Sequence, residues 1–261
     1  MKICVCVKQV PDPNLPSRVD PATRRLVRNP DQSILDPADE YGVETALRLV
    51  EAHGGEVVAI TMGPPSAADA LRRAMAMGVN RAIHVSDPAL AGSDAPTTAR
   101  VLAAAIRGEE PDLVVCATEA TDAYSGMVPG ALAEALDLPQ LTFARSVEID
   151  GTTVTVRRDV ELGSQVIQTQ LPALLTVTAS IAEPRYPSFK GVMAAKRKPI
   201  DERTVASLGL EPSAVGEVGA RERVLSVEEV RTEKQGKVVR DDGSGSSVDE
   251  IVAFLQRIQV V

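Results

Sequence analysis

The spacing of apolar positions changes period twice along the chain. Ile3–Val7, Val57–Thr61, Arg81–Val85 and Asp112–Ala117 are short, nearly continuous apolar runs rich in β-branched residues. That is the pattern of strands buried on both faces of a parallel sheet. Between the first two, Val43, Ala46, Leu47 and Val50 recur at helical spacing. Asp36 supplies an N-cap, Pro37 the first helical residue, Asp39 and Glu40 a first turn of carboxylates, and Gly54-Gly55 a stop. Further helices are expected from a Ser66 cap to Met77, with Gly78 as the stop, over Pro96–Arg107, and over Pro129–Leu136. Strand–helix alternation from residue 2 to 137 predicts a parallel α/β sheet with right-handed crossovers.

Beyond residue 137 the pattern changes. Ser146–Ile149, an Asp150-Gly151 turn and Thr153–Arg158 predict a hairpin, and a second short hairpin is expected around Asp20–Arg28. Gln165–Gln170 alternates, and Ala173–Ala179 is one more buried strand. From Asp201 the chain thins into glycines, a charged stretch over Glu228–Arg240 and an Asp/Gly/Ser run. It closes with an amphipathic helix over Val248–Ile258, whose apolar face is Ile251, Val252, Leu255 and Ile258. The expected division is therefore an α/β domain over 1–200 and an extended arm over 201–261. The arm holds no core of its own, so its terminal helix needs a surface to pack on.

Composition narrows this picture. Hydrophobic residues make up 44% of the 261 residues and aromatics only 2%, so the core must be built from Ala, Val, Leu and Ile. The net charge of −8 argues against general nucleic-acid binding, although a local basic patch is compatible with it. Cys4, Cys6 and Cys116 lie in apolar runs without a CxxC, which favours buried reduced thiols over a metal site or a disulfide. No apolar run reaches 18 residues and a strand begins almost at once, so the expectation is a cytoplasmic protein without membrane insertion. Of the two histidines, His53 and His84, neither lies near a Ser or Cys in a nucleophilic context, and His84 is expected to pack within its strand.

In parallel α/β sheets ligands bind beyond the carboxyl ends of the strands. Four loops qualify: Lys8–Pro13, Asp36–Asp39, Met62–Pro65 and Ala117–Val128. The last carries hydroxyls at Thr118, Thr121 and Ser125, then Gly126, and runs into a helix start suited to a phosphate. Asp122 within it suits a sugar hydroxyl or a hydrogen bond inside the loop. There is no GxGxxG, no GxxxxGK[ST], no carboxylate pair and no triad. A second stretch, Glu183–Pro199, starts with Pro184 and Pro187, places Phe189 on a loop before Gly191, and ends in Lys196-Arg197-Lys198. Phe189 is either an anchor for a partner's pocket or an aromatic folded back on its own domain.

Together these segments resemble the β subunit of electron transfer flavoprotein (ETF), particularly its actinobacterial form. The residues that carry the likeness are VKQVPD at 7–12, Asp36-Pro37 before an acidic helix, TMGP at 61–64, RRAMAMG at 72–78 and TEATDAYSG at 118–126. LPQLT at 138–142, the segment from Val156 to Thr176, and EPRYPSFKGVMAAKRK at 183–198 extend it over nearly the whole chain. The resemblance implies an α/β fold: a parallel Rossmann-like, adenine-nucleotide-hydrolase-like sheet with helices on both faces, an added β-hairpin region and an extended C-terminal arm. It further implies an electron-carrier subunit without catalytic residues, paired with an α subunit that holds most of one FAD. Such a dimer would take electrons from acyl-CoA and related dehydrogenases and pass them to ETF-quinone oxidoreductase.

Carried over by position, the family's AMP contacts fall on Cys6, on Asp36, Pro37, Ala38 and Asp39, and on Met62. In the long loop they fall on Ala117, Thr118, Glu119, Thr121, Asp122, Ser125, Gly126, Met127 and Val128. The loop departs from many members at Glu119, Tyr124, Met127 and Val128, which leaves its contacts largely to backbone groups. Phe189 stands where the family presents a large apolar residue to a dehydrogenase, with Lys190 and Met193 beside it, and Asp159 matches a position that contacts the α subunit. Pro13 and Ala38 stand where some relatives place aromatics near the flavin. Two alternatives remain: a bifurcating ETF β subunit with its own FAD, and a stand-alone ATP- or AMP-binding protein like the universal stress proteins.

Overall fold

The computed structural model describes residues 1–228 and 236–260. In chain order the elements are β1 (Lys2–Cys6), β2 (Gln9–Pro11), β3 (Val19–Asp20), β4 (Arg25–Leu26), β5 (Ser33–Leu35), α1 (Pro37–His53), β6 (Glu56–Met62), α2 (Ala68–Met77) and β7 (Arg81–Val85). There follow α3 (Ala95–Arg107), β8 (Leu113–Ala117), α4 (Met127–Leu136), β9 (Gln140–Ala144), β10 (Ser146–Asp150), β11 (Thr153–Val160), β12 (Gly163–Gln170) and β13 (Ala173–Val177). The series ends with α5 (Phe189–Arg197), β14 (Asp201–Arg203), α6 (Gly216–Gly219) and α7 (Ser246–Arg257).

The expected sheet is present. Seven strands lie in the order β14-β7-β6-β1-β8-β13-β9, and every neighbouring pair is parallel. Strand alternation divides the core in two. Ile3, Val5, Val57 and Ala59 face a layer with buried residues of α1, α2 and α5. Cys4, Val58, Ile60 and Cys116 face a layer with buried residues of α3 and α4. His84 is buried in β7 and its Nε2 lies 3.3 Å from the Gly63 carbonyl, as a packing residue.

Several local expectations shift. Ser66 does not cap α2; its hydroxyl donates to Gln9 Oε1 at 2.8 Å, and the helix starts at Ala68 behind a short 3-10 turn. The hairpin after residue 145 gains a third strand, β10-β11-β12, and sets Val154 and Val156 into the first core layer. Gln140–Ala144 is a strand that its weak apolar pattern concealed. The chain also does not leave the sheet at residue 201: β14 pairs with β7 at the edge. The compact unit spans Met1–Leu225 and a second unit spans Ser226–Val261. In that second unit the terminal helix starts two residues earlier than expected, at Ser246, and Phe254 and Ile258 are exposed on it and after it. The charged run expected over Glu228–Arg240 lies outside the described residues at 229–235.

The 183–199 stretch is not a loose loop. Phe189 opens α5, and the Ser188 side chain accepts from the Gly191 N–H at 3.0 Å, capping it. The scarcity of apolar residues before Val192 hid this first turn. Arg185 holds the approach to the helix against α1 through Glu44 at 2.7 Å, and Arg48 reaches the same carboxylate at 2.6 Å. Burial pushes the Glu44 carboxyl up, but hydrogen bonds from Arg185 and Arg48 outweigh it and hold the group below the usual carboxylate range. Arg72 donates to the carbonyl of Ala195 at 2.6 Å.

Gly191 lets α5 lie close on α2. A Cβ there would sit 2.5 Å from the Ala76 carbonyl oxygen, a backbone atom that cannot turn aside. Gly191→Ala should therefore lower the urea unfolding free energy by about 1–3 kcal/mol, as overpacked sites do. A variant as stable as the parent would show that α5 is free to lift.

Candidate functional site

Because β6, β1 and β8 are adjacent, their carboxyl ends bring Met62, Cys6 and Ala117 together. The loops that leave these ends are tied by buried carboxylates. Asp36 is fully buried at the start of α1. Its Oδ1 accepts from the Ala38 N–H at 3.0 Å and from the Thr121 hydroxyl at 3.1 Å. Its Oδ2 accepts from the Thr121 N–H at 2.8 Å. One aspartate thus caps a helix and fixes the long loop to it. Asp39, one turn on, accepts from the Lys8 N–H at 2.7 Å. Burial, then the neighbouring Asp36 charge, push the Asp39 carboxyl well above the usual range.

Asp122 is the hinge of the loop. Lys8 Nζ and Arg28 Nη2 each lie 2.6 Å from one of its oxygens, while its side chain is only 1% exposed. Burial raises its pKa, but Lys8 and Arg28 together outweigh burial and hold it below the ordinary value. Both carboxylate oxygens are therefore engaged by cations, a contact to loops on either side rather than within its own loop. Lys8 and Arg28 were not singled out by the sequence reading. Lys8 carried the one available signal, as the first charged residue after β1; Arg28 is brought in by the β3–β4 hairpin.

The loop ends at Gly126, whose φ of 61° is left-handed and which leads into α4 without a side-chain cap. No acidic residue lies in the first turn of α4. An uncapped helix start presents unsatisfied N–H groups and a positive dipole end. Ser125 and Met127 are exposed there, and Val128 packs against the second core layer. Thr118 is engaged elsewhere, donating to the Val177 carbonyl at 3.0 Å. Tyr124 is exposed and, with Pro11, Pro13, Ser17, Leu26, Thr121 and Asp122, lines a cleft of about 180 Å³.

α5 packs in the layer of α1 and α2, whereas the 117–128 loop leads into α4 in the other layer. Phe189 is 82% exposed and Tyr186 89%, with Lys190 and Met193 also exposed on α5. Asp159, on β11, is exposed and pairs with Arg145 at 2.9 Å. Phe143 is exposed too, in a left-handed conformation (φ 59°) on edge strand β9. All three phenylalanines of the chain thus face outward.

A family profile described as "Electron transfer flavoprotein domain" matches residues 23–208. The chain belongs to the electron transfer flavoprotein β-subunit family. It is 39% identical over 239 residues to the electron transfer flavoprotein subunit beta of Thermoanaerobacterium thermosaccharolyticum, covering 91% of this chain and 92% of the relative. It is 37% identical over 265 residues to that of Mycobacterium tuberculosis, covering 99% of both. It is also 35% identical over 257 residues to the caffeyl-CoA reductase-Etf complex subunit CarD of Acetobacterium woodii, covering 98% of this chain and 96% of the relative. Among the described residues no helix is long and apolar enough to cross a membrane, and no group of three His, Cys, Asp or Glu is placed to hold a metal ion.

Asp122→Asn should lower stability at neutral pH by about 1–3 kcal/mol, the scale of hydrogen bonds to charged groups. The depressed carboxylate stabilises the fold above its unfolded value of about 3.9 and loses that effect as pH falls through the folded value. The stability gap between parent and variant should therefore narrow on acidification, read from urea midpoints across pH. A gap independent of pH would separate the effect from the carboxylate charge.

Proposed function

We propose that this chain is the β subunit of a heterodimeric electron transfer flavoprotein and that its strand-end site holds AMP in a structural role. The observation that carries the nucleotide reading is the uncapped start of α4 behind left-handed Gly126, with Lys8 and Arg28 close by at Asp122. The donor set fits an adenosine monophosphate. Backbone N–H groups from Ser125 to Val128 would take the phosphate, as helix starts do. Cys6, Asp36–Asp39 and Met62 would line the inner wall, with Ala117–Thr121 and the Asp122 hinge closing over it.

In this reading FAD, held mainly by the α subunit, supplies the redox chemistry, and the β chain is an electron carrier's scaffold without catalytic residues. Its work is to bind and orient. The outward-facing Phe189, beside Lys190 and Met193 on α5, meets acyl-CoA and related dehydrogenases, while Asp159 and the apolar face of α7 meet the α subunit. The A. woodii relative, named as a subunit of a caffeyl-CoA reductase-Etf complex, is likewise associated with an enzyme of CoA esters. The electrons then pass to ETF-quinone oxidoreductase, and the assembly works in the cytoplasm.

Nucleotide released by denaturing the chain co-expressed with its α subunit tests the site. One FAD and one AMP per pair are expected. Two FAD would replace AMP with a bifurcating site, and ATP without flavin would overturn the subunit assignment. For the partner surface, Phe189→Ala should slow reduction by an acyl-CoA dehydrogenase roughly tenfold or more, the scale of a lost interface hot spot. Assembly and flavin content should be unchanged; loss of assembly would make the residue structural.

A further inference from the structure

The sequence favours three buried reduced thiols over a metal site or a disulfide, and the structure separates two of them from the third. β1 and β8 are parallel neighbours whose register pairs Cys4 with Val114 and Val5 with Val115. The next step along both strands sets Cys6 beside Cys116. Both side chains point to the same core layer, and Cys116 is near enough to Cys6 to push its thiol up. Adjacent strands lie about 4.7–4.9 Å apart, inside the Cα separation of about 4.4–6.8 Å that disulfides use. Cys4 is paired across both neighbouring strands with Val114 and Val58, not with a cysteine. Cys6, the last residue of its strand, is half-buried, whereas Cys4 and Cys116 are buried.

We propose that Cys6 and Cys116 are a redox-labile thiol pair that closes to a disulfide under a low-molecular-weight disulfide oxidant. The Cys6 thiolate attacks one sulfur of the oxidant and expels a thiolate. Cys116 then attacks the Cys6 sulfur of the mixed disulfide and expels the second thiolate. Two S–H bonds break and one S–S bond forms; the two protons go to the departing thiolates, so the oxidant is reduced to two thiols. Burial and the Cys116 contact hold the Cys6 thiol protonated well above its ordinary value, which makes the first attack slow. The second attack is favoured over the first because the neighbouring thiol makes it intramolecular. The new bond would tie β1 to β8 directly beneath the 118–126 loop. This inference stands on the strand register; since the proposed nucleotide site has Cys6 on its wall, the test is made on nucleotide-free chain.

The test uses the full-length chain, incubated with oxidised glutathione and then alkylated under denaturing conditions for intact-mass and peptide mapping. The parent and Cys4→Ser should each lose two alkylatable thiols and yield one cross-linked peptide pair containing Cys6 and Cys116, reversed by dithiothreitol. Cys116→Ser should instead stop at the glutathione adduct on Cys6. Three free thiols in the parent, under conditions where the urea-unfolded chain reacts, would overturn the proposal. So would a cross-link through Cys4, or a stable glutathione adduct on Cys6 in the parent.

Discussion

A buried carboxylate with every oxygen engaged is the constraint on which the site depends. Asp36 lies away from water, where a polar group must be hydrogen-bonded. It meets that need by capping α1 and by holding Thr121 through both backbone and hydroxyl. The requirement of one residue thus joins the start of one helix to the loop before another. Asp122 repeats the logic one residue on, with cations in place of N–H groups. The loop is consequently pre-shaped by the protein's own charges, and the start of α4 is left as its uncapped donor set.

The same economy of aromatic residues separates inside from outside. The two core layers are Ala, Val, Leu, Ile, Met and Cys, a set that packs tightly between strands and helices without large rings. Aromatic side chains carry large apolar areas and are costly to leave in water. Phe143, Phe189, Tyr186 and Phe254 are nevertheless exposed. They lie on β9, just before and at the start of α5, and on α7. Gly191 and the Arg185–Glu44 pair give α5 a close seat on α2 and α1.

Electrostatics divides the carboxylates into two groups. Asp122 and Glu44 lie below the usual range because cations outweigh burial, and both sit where loops must be fixed. Asp39 is pushed the other way, by burial first and then by the Asp36 charge, against a hydrogen bond from the Lys8 N–H.

The sequence by itself determined the centre of the sheet. Continuous β-branched runs, helical spacing behind Asp36-Pro37 and glycine stops are local signals, and they predicted the parallel strands, α1 and the strand-end loops where they occur. Family motifs spread over the whole chain did the same for its kinship. What only the tertiary structure decided are pairings between residues distant in sequence: Lys8 and Arg28 on Asp122, Arg185 on Glu44, Cys6 beside Cys116. It also decided the edge positions of β9 and β14 and the third strand of the meander. These depend on strand order and on which side chain meets an uncompensated charge after folding. No local period encodes that, because the cost of burying a charge is set by neighbours that the chain brings together only in three dimensions.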